Sequence, residues 1–172
     1  MRRARVGILV TGTEVFQGLI EDRFEPVVRQ KARRLGCEVV GALVVPDDAS
    51  AIARGVGELI ASGADLVVTT AGLSVDPEDV TRKGLAEAGL AEALYGFPVL
   101  PGAMSLIGRI GAVQVLGVPA CALHHRTTAL DLLLPRLLAG VEVKREDAAR
   151  LAEGGLCLEC RNCEFPKCPF GR

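Results

Sequence analysis

The hydrophobic pattern along the chain alternates between two kinds of segment. Short, nearly unbroken apolar runs occur at Val6–Val10, Cys37–Val45 (CEVVGALVV), Leu66–Thr70 and Val113–Val118. Runs of this length read as strands buried on both faces. Between them, apolar residues recur at helical spacing. Ile20, Phe24, Val27, Val28 and Leu35 predict a helix within 18–35, stopped by Gly36. Pro46-Asp47-Asp48 makes a turn, and Asp48 or Ser50 caps a helix running to about Ser62. Further helices are predicted from about Asp79 to Ala88 and from Thr127 or Thr128 to Ala139. The last presents Leu130, Leu133, Leu134, Leu137 and Leu138 on one face.

Strands alternating with helices imply βαβ units and a mainly parallel sheet covered on both faces. Such sheets bind ligands outside the carboxyl ends of their strands. The loops of interest are therefore TGTEVFQG, VPDD, TTAGLSVDPEDVT and GVPACALHHRTT. Residues 1–140 form the domain, 141–156 a charged helix or linker, and 157–172 a cysteine-rich tail.

Composition narrows the class. The 172 residues suffice for one domain with a core, and that core is aliphatic, since aromatics are 3% and Trp is absent. A net charge of −1 argues against general nucleic-acid binding. No apolar run reaches the roughly 20 residues that span a bilayer. The apolar stretch after MRRAR is also too short for a secretory core. A cytoplasmic protein is expected, in which clustered cysteines serve metal or redox chemistry rather than disulfides.

TTAGLSVDPEDVT (69–81) leaves a buried strand, turns through Gly72 and enters a helix. Backbone amides at such a turn, with a helix N-terminus behind them, make an anion site. Thr70, Ser74 and Thr81 add hydroxyls. Asp76 and Asp79 add carboxylates suited to Mg²⁺ or a polar heterocycle. The plainer reading is a turn with Asp79 as helix cap. No phosphate-loop or dinucleotide-binding signature is present. In GVPACALHHRTTALD, His124, His125, Arg126, Thr127 and Thr128 could grip a phosphate with a guanidinium, hydroxyls and helix-terminal amides, or form a solvated loop. Cys37 and Cys121 read as small buried residues.

Four of the six cysteines, Cys157, Cys160, Cys163 and Cys168, form a C-x2-C-x2-C-x4-C array followed by Pro169. Two-residue gaps let thiolates converge on one centre. The run resembles bacterial ferredoxin spacing, although there the last gap is three residues and the fourth cysteine serves a second cluster. Tetrahedral zinc more often uses two separated knuckles. A [4Fe–4S] cluster, zinc, or an oxidised or disordered tail all remain open.

TTAGLSVDPEDVT, the upstream VTGTEVFQG and VPDD together resemble the molybdopterin-binding domain of molybdenum-cofactor biosynthesis and CinA-type proteins. The match runs in register over residues 5–90. LPGAMSLIGRIGAVQVLGVPACALHHRTTALDLLLPRLLAG resembles that family's second half, and the tail resembles that of a cysteine-rich subgroup. The resemblance implies a three-layer α/β/α sandwich. It implies as ligand molybdopterin or its molybdenum or tungsten cofactor, with a client molybdo- or tungsto-enzyme and a homo-oligomer. By position, Asp47 and Asp79 match the aspartates of pterin and Mg-nucleotide chemistry. Thr11, Gly12, Glu14 and Gly72 match binding-loop positions. The chain departs from the family pattern at Ala71 and Ser74, where glycines are usual. The expected function is cofactor binding for biosynthesis, storage or delivery. The alternatives are adenylyl transfer or metal insertion, and a pterin-sensing regulatory domain.

Overall fold

The computed structural model describes residues 1–70 and 80–171. Its strands are β1 (Arg5–Thr11), β2 (Glu38–Val45), β3 (Leu66–Thr70), β4 (Ala91–Tyr95), β5 (Leu106–Ile110) and β6 (Val113–Val118). Its helices are α1 (Thr13–Phe16), α2 (Phe24–Arg34), α3 (Ala49–Ala61), α4 (Val80–Glu87), α5 (Ala129–Leu138) and α6 (Arg145–Arg150). A 3-10 turn spans Ala120–Leu123. The strands form one sheet in the order β2-β1-β3-β6-β5-β4. The first four are parallel, with Ile8 beside Ala42 and Val68, and Val68 beside Leu116. Strand β5 runs antiparallel to both β6 and β4.

Side chains alternate across the sheet with the period of two that a pleated strand dictates. Ile8, Val10, Val68 and Leu116 meet Phe24, Val28 and Ala32 of α2 and Leu130, Leu133 and Leu137 of α5. Leu9, Val67 and Val115 point the other way, to Ile52, Val56 and Leu59 of α3 and Leu85 of α4. This is the expected three-layer α/β/α sandwich. Helices α3 and α4 pack closely because α4 carries Gly84. A Cβ there would lie 2.6 Å from the Cβ of Ile52 and 2.7 Å from the carbonyl of Ala49.

Two predictions need adjustment. The helix expected within 18–35 begins at Phe24, because Asp22 Oδ1 accepts the Phe24 N–H at 2.7 Å and that of Glu25 at 3.2 Å. Ile20 stays outside and is exposed. Strands β4 and β5 were not foreseen. Strand β4 is mostly exposed, and its register shifts between Ala91 and Leu94, with Glu92 at φ 53°. Five residues so arranged show no clean alternation. The last long helix begins as expected. Thr128 Oγ1 accepts from Leu130 N–H at 3.2 Å, and Asp131 Oδ2 accepts from Thr128 N–H at 2.8 Å.

The charged segment contains α6, and the tail returns to the body of the domain. Phe170 is 4% exposed within the α2/α5 core and meets Phe165 edge to face, with centroids 6.2 Å apart. Gly171 N–H donates to Gly154 O at 2.7 Å. Leu100 N–H donates to Gly155 O at 2.6 Å, and Cys157 N–H to Leu100 O at 2.8 Å. Gly155 is required here, since a Cβ would fall 2.2 Å from the carbonyl of Pro98. Among the described residues, no helix is long and apolar enough to cross a membrane.

Candidate functional site

Because β2, β1, β3 and β6 are parallel neighbours, their carboxyl ends gather four loops along one edge. The first two pin each other. Gly12, at φ 154°, donates its N–H to Val45 O at 3.0 Å. Thr13 N–H donates to Asp47 Oδ2 at 2.8 Å, and Asp47 N–H returns a bond to Thr13 Oγ1 at 3.1 Å. Thr11 Oγ1 donates to Thr70 O at 2.9 Å and lies 3.2 Å from Thr81 Oγ1, which ties β1 to β3 and α4. Thr11, Thr70 and Thr81 are buried, so these hydroxyls brace the loops from below. Thr69 is wholly buried, and its hydroxyl has no partner among the described residues. It lies two residues before the segment 71–79. Gly72, Ser74, Asp76 and Asp79 fall in that segment, outside the described residues.

Three cavities open around this edge. The first, about 780 Å³, is lined by Thr11, Gly12, Glu14 and Asp47, with Asp22 and Leu123 on its wall. The second, about 880 Å³, lies between Leu100–Met104 and Pro119–Cys121 and is closed by His125 and Leu156–Glu159. The third, about 460 Å³, is lined by His124, His125, Arg126, Thr127 and all four tail cysteines. The structure thus brings Thr11, Gly12, Glu14 and Asp47 together on one cavity wall. It places His124, Arg126 and Thr127 against the tail instead of with that group. Thr128 is 1% exposed, and its oxygen serves the helix cap.

The 124–128 loop is held in place. Lys31 Nζ donates to Arg126 O at 2.8 Å and pairs with Asp131 at 2.6 Å. His125 Nδ1 pairs with Glu159 of the tail. Cys163 Sγ lies 3.4 Å from Thr127 Oγ1. That hydrogen bond, followed by a backbone bond at Phe165 and the charge of Arg126, lowers the Cys163 thiol below its ordinary pKa. Burial raises the thiols of Cys37 and Cys121 instead. Cys37 is buried as read from sequence, whereas Cys121 is half-buried and lines the second cavity. Among the described residues, no three His, Cys, Asp or Glu side chains gather closely enough to hold one metal ion.

Sequence reasoning missed Leu100–Met104 and Glu159 as lining residues. Pro101-Gly102 was the available signal: Gly102 has φ 119°, and a Cβ there would fall 2.5 Å from the Cβ of Ala129. Only glycine lets this turn lie against the start of α5.

Comparison with known proteins places this arrangement. The model of the probable molybdopterin-binding domain family matches residues 7–139, and the chain belongs to that family. It is 29% identical over 144 residues to the molybdopterin molybdenumtransferase of Synechococcus elongatus, covering 78% of this chain and 36% of that protein. It is 38% identical over 78 residues to a CinA-like protein of Mycobacterium sp. strain JLS, covering 45% of this chain and 18% of that one. The chain therefore spans well under half the length of these curated relatives. The crystal structure of the molybdopterin biosynthesis enzyme MoaB from Thermus thermophilus superposes with a TM-score of 0.64. It shares 25% identity, with 82% of this chain and 99% of that chain covered.

Proposed function

We propose that this domain binds molybdopterin, or the finished molybdenum or tungsten cofactor, for biosynthesis, storage or delivery. The observation carrying the proposal is the grouping of strand-end loops, with two cavities opening beside them. One side offers the Thr11–Glu14 loop and Asp47, which suit the polar edges of a pterin. The other is closed by His125, and Arg126, next to it in the chain, lines the adjoining third cavity, where its guanidinium suits the terminal phosphate. Segment 71–79, with Gly72, Ser74, Asp76 and Asp79, joins β3 to α4 and belongs to the proposed site by its place in the chain. The family and its molybdopterin-related relatives point to the same ligand class.

The test is equilibrium binding of molybdopterin, followed by pterin fluorescence. The full chain is expected to bind, and Arg126→Ala to weaken binding about tenfold, the loss typical of one charge-assisted hydrogen bond. No binding by the native chain would overturn the reading. A second reading, Mg-nucleotide-dependent adenylyl transfer or metal insertion, rests on Asp47, whose carboxylate lines the first cavity. It requires Mg-ATP turnover in the presence of molybdopterin, lost on Asp47→Asn or Asp79→Asn.

A further inference from the structure

We propose that the third cavity is a cluster-binding site in which Cys157, Cys160, Cys163 and Cys168 hold a polynuclear iron–sulfur centre. Two observations combine. The array C-x2-C-x2-C-x4-C followed by proline approaches the compact spacing of cluster-binding runs. The four cysteines are free thiols in one docked segment, and all four line one cavity of about 460 Å³. Among the described residues, no three His, Cys, Asp or Glu side chains already stand close enough to hold one ion, so the tail would have to close around the centre it takes. Tetrahedral zinc demands four thiolates at about 2.3 Å from a single centre. A four-iron cluster offers each thiolate its own iron, and the compact two-residue gaps of this run suit it better than the two separated knuckles usual for zinc.

The tail is anchored in a way that suits such a centre. Phe170 and Phe165 pack at its far end, and the Leu100–Cys157 backbone bond fixes its near end. Cys160 and Cys163 lie between these anchors and remain exposed, open to cluster assembly. Cys157 lines both this cavity and the second one. If the pterin reading holds, the cluster would therefore form a wall of the neighbouring cofactor cavity.

The experiment is anaerobic reconstitution of the full chain with equal amounts of ferrous and ferric iron and with sulfide. Iron, acid-labile sulfide and zinc per chain are measured together with visible absorbance and electron paramagnetic resonance. The expectation is about four iron and four sulfide per chain. Cys160→Ser and Cys163→Ser should each lose most of the cluster, whereas Cys37→Ser and Cys121→Ser should keep it. Circular dichroism confirms that each variant is folded, and the two tail positions are exposed, so folding is not at stake there. One zinc or one iron per chain, no retained metal, or a cluster indifferent to the Cys160 and Cys163 variants would each overturn the assignment. The readout contains no pterin, so its failure is distinct from failure of pterin binding.

Discussion

The strand-edge loops and the cysteine tail are held by different means. At the edge, backbone and short polar side chains lock one another: Thr13 with Asp47, Thr11 with Thr70 and Thr81, Gly12 with Val45. These bonds are local to the sheet, and each rests on strands fixed by the core. The tail carries almost no regular structure. It is held by a buried aromatic at one end and a short backbone exchange with Leu100 at the other. A site made from strand ends is preformed by the fold. A site made from a tail depends on a few anchors and is correspondingly easy to release.

The largest effect that separates the two regions is expected from Phe170→Ala. Truncating a buried Phe costs about 3 kcal/mol. Here the loss should fall on tail docking, so proteolysis at exposed Arg161 and Lys167 should accelerate while the main unfolding transition moves much less. A large drop in that transition would show that tail and domain unfold as one unit. A smaller effect, on the opposite face, is expected from Gly84→Ala. The new methyl would meet Ile52 and the Ala49 carbonyl. Overpacking of this kind costs about 1–3 kcal/mol. Chemical denaturation should show that loss, with tail proteolysis unchanged.

The smallest effect tests the contact between the 124–128 loop and the tail. Cys163 is held below its ordinary pKa first by Thr127, so Thr127→Val removes the bond that favours the thiolate. Its pKa should rise, and its alkylation profile should move to higher pH. Buried Cys37, raised by burial, should stay unreactive until the chain unfolds. An alkylation profile for Cys163 that ignores Thr127 would mean the tail does not sit against this loop in solution.

The contrast also explains what could be read from sequence. Strands β1, β2, β3 and β6 were legible because they are parallel neighbours carrying nearly continuous apolar runs. The Thr128 cap and the Asp47 turn were legible because capping and turn chemistry is local. Strands β4 and β5 were not, since β4 is exposed, shifted in register and only five residues long. The placement of His124–Thr127 against the tail was also hidden. Loops that follow a strand in the chain can turn to either side of its end, and here the loop is held by Lys31 of α2 and by His125–Glu159 and Thr127–Cys163 contacts with the tail, all distant in sequence. The cysteines announced themselves by spacing, but which cavity they would line depended on where Phe170 and Gly155 could pack.

The central claim is that the carboxyl edge of the sheet receives the pterin. Hydrogen exchange of the full chain with and without molybdopterin tests it most directly. The account predicts slowed exchange at residues 11–15, 46–48, 70–81 and 119–128, with little change in α3 and at the amino ends of the strands. Protection confined to any other surface, with these loops unaffected, would contradict it.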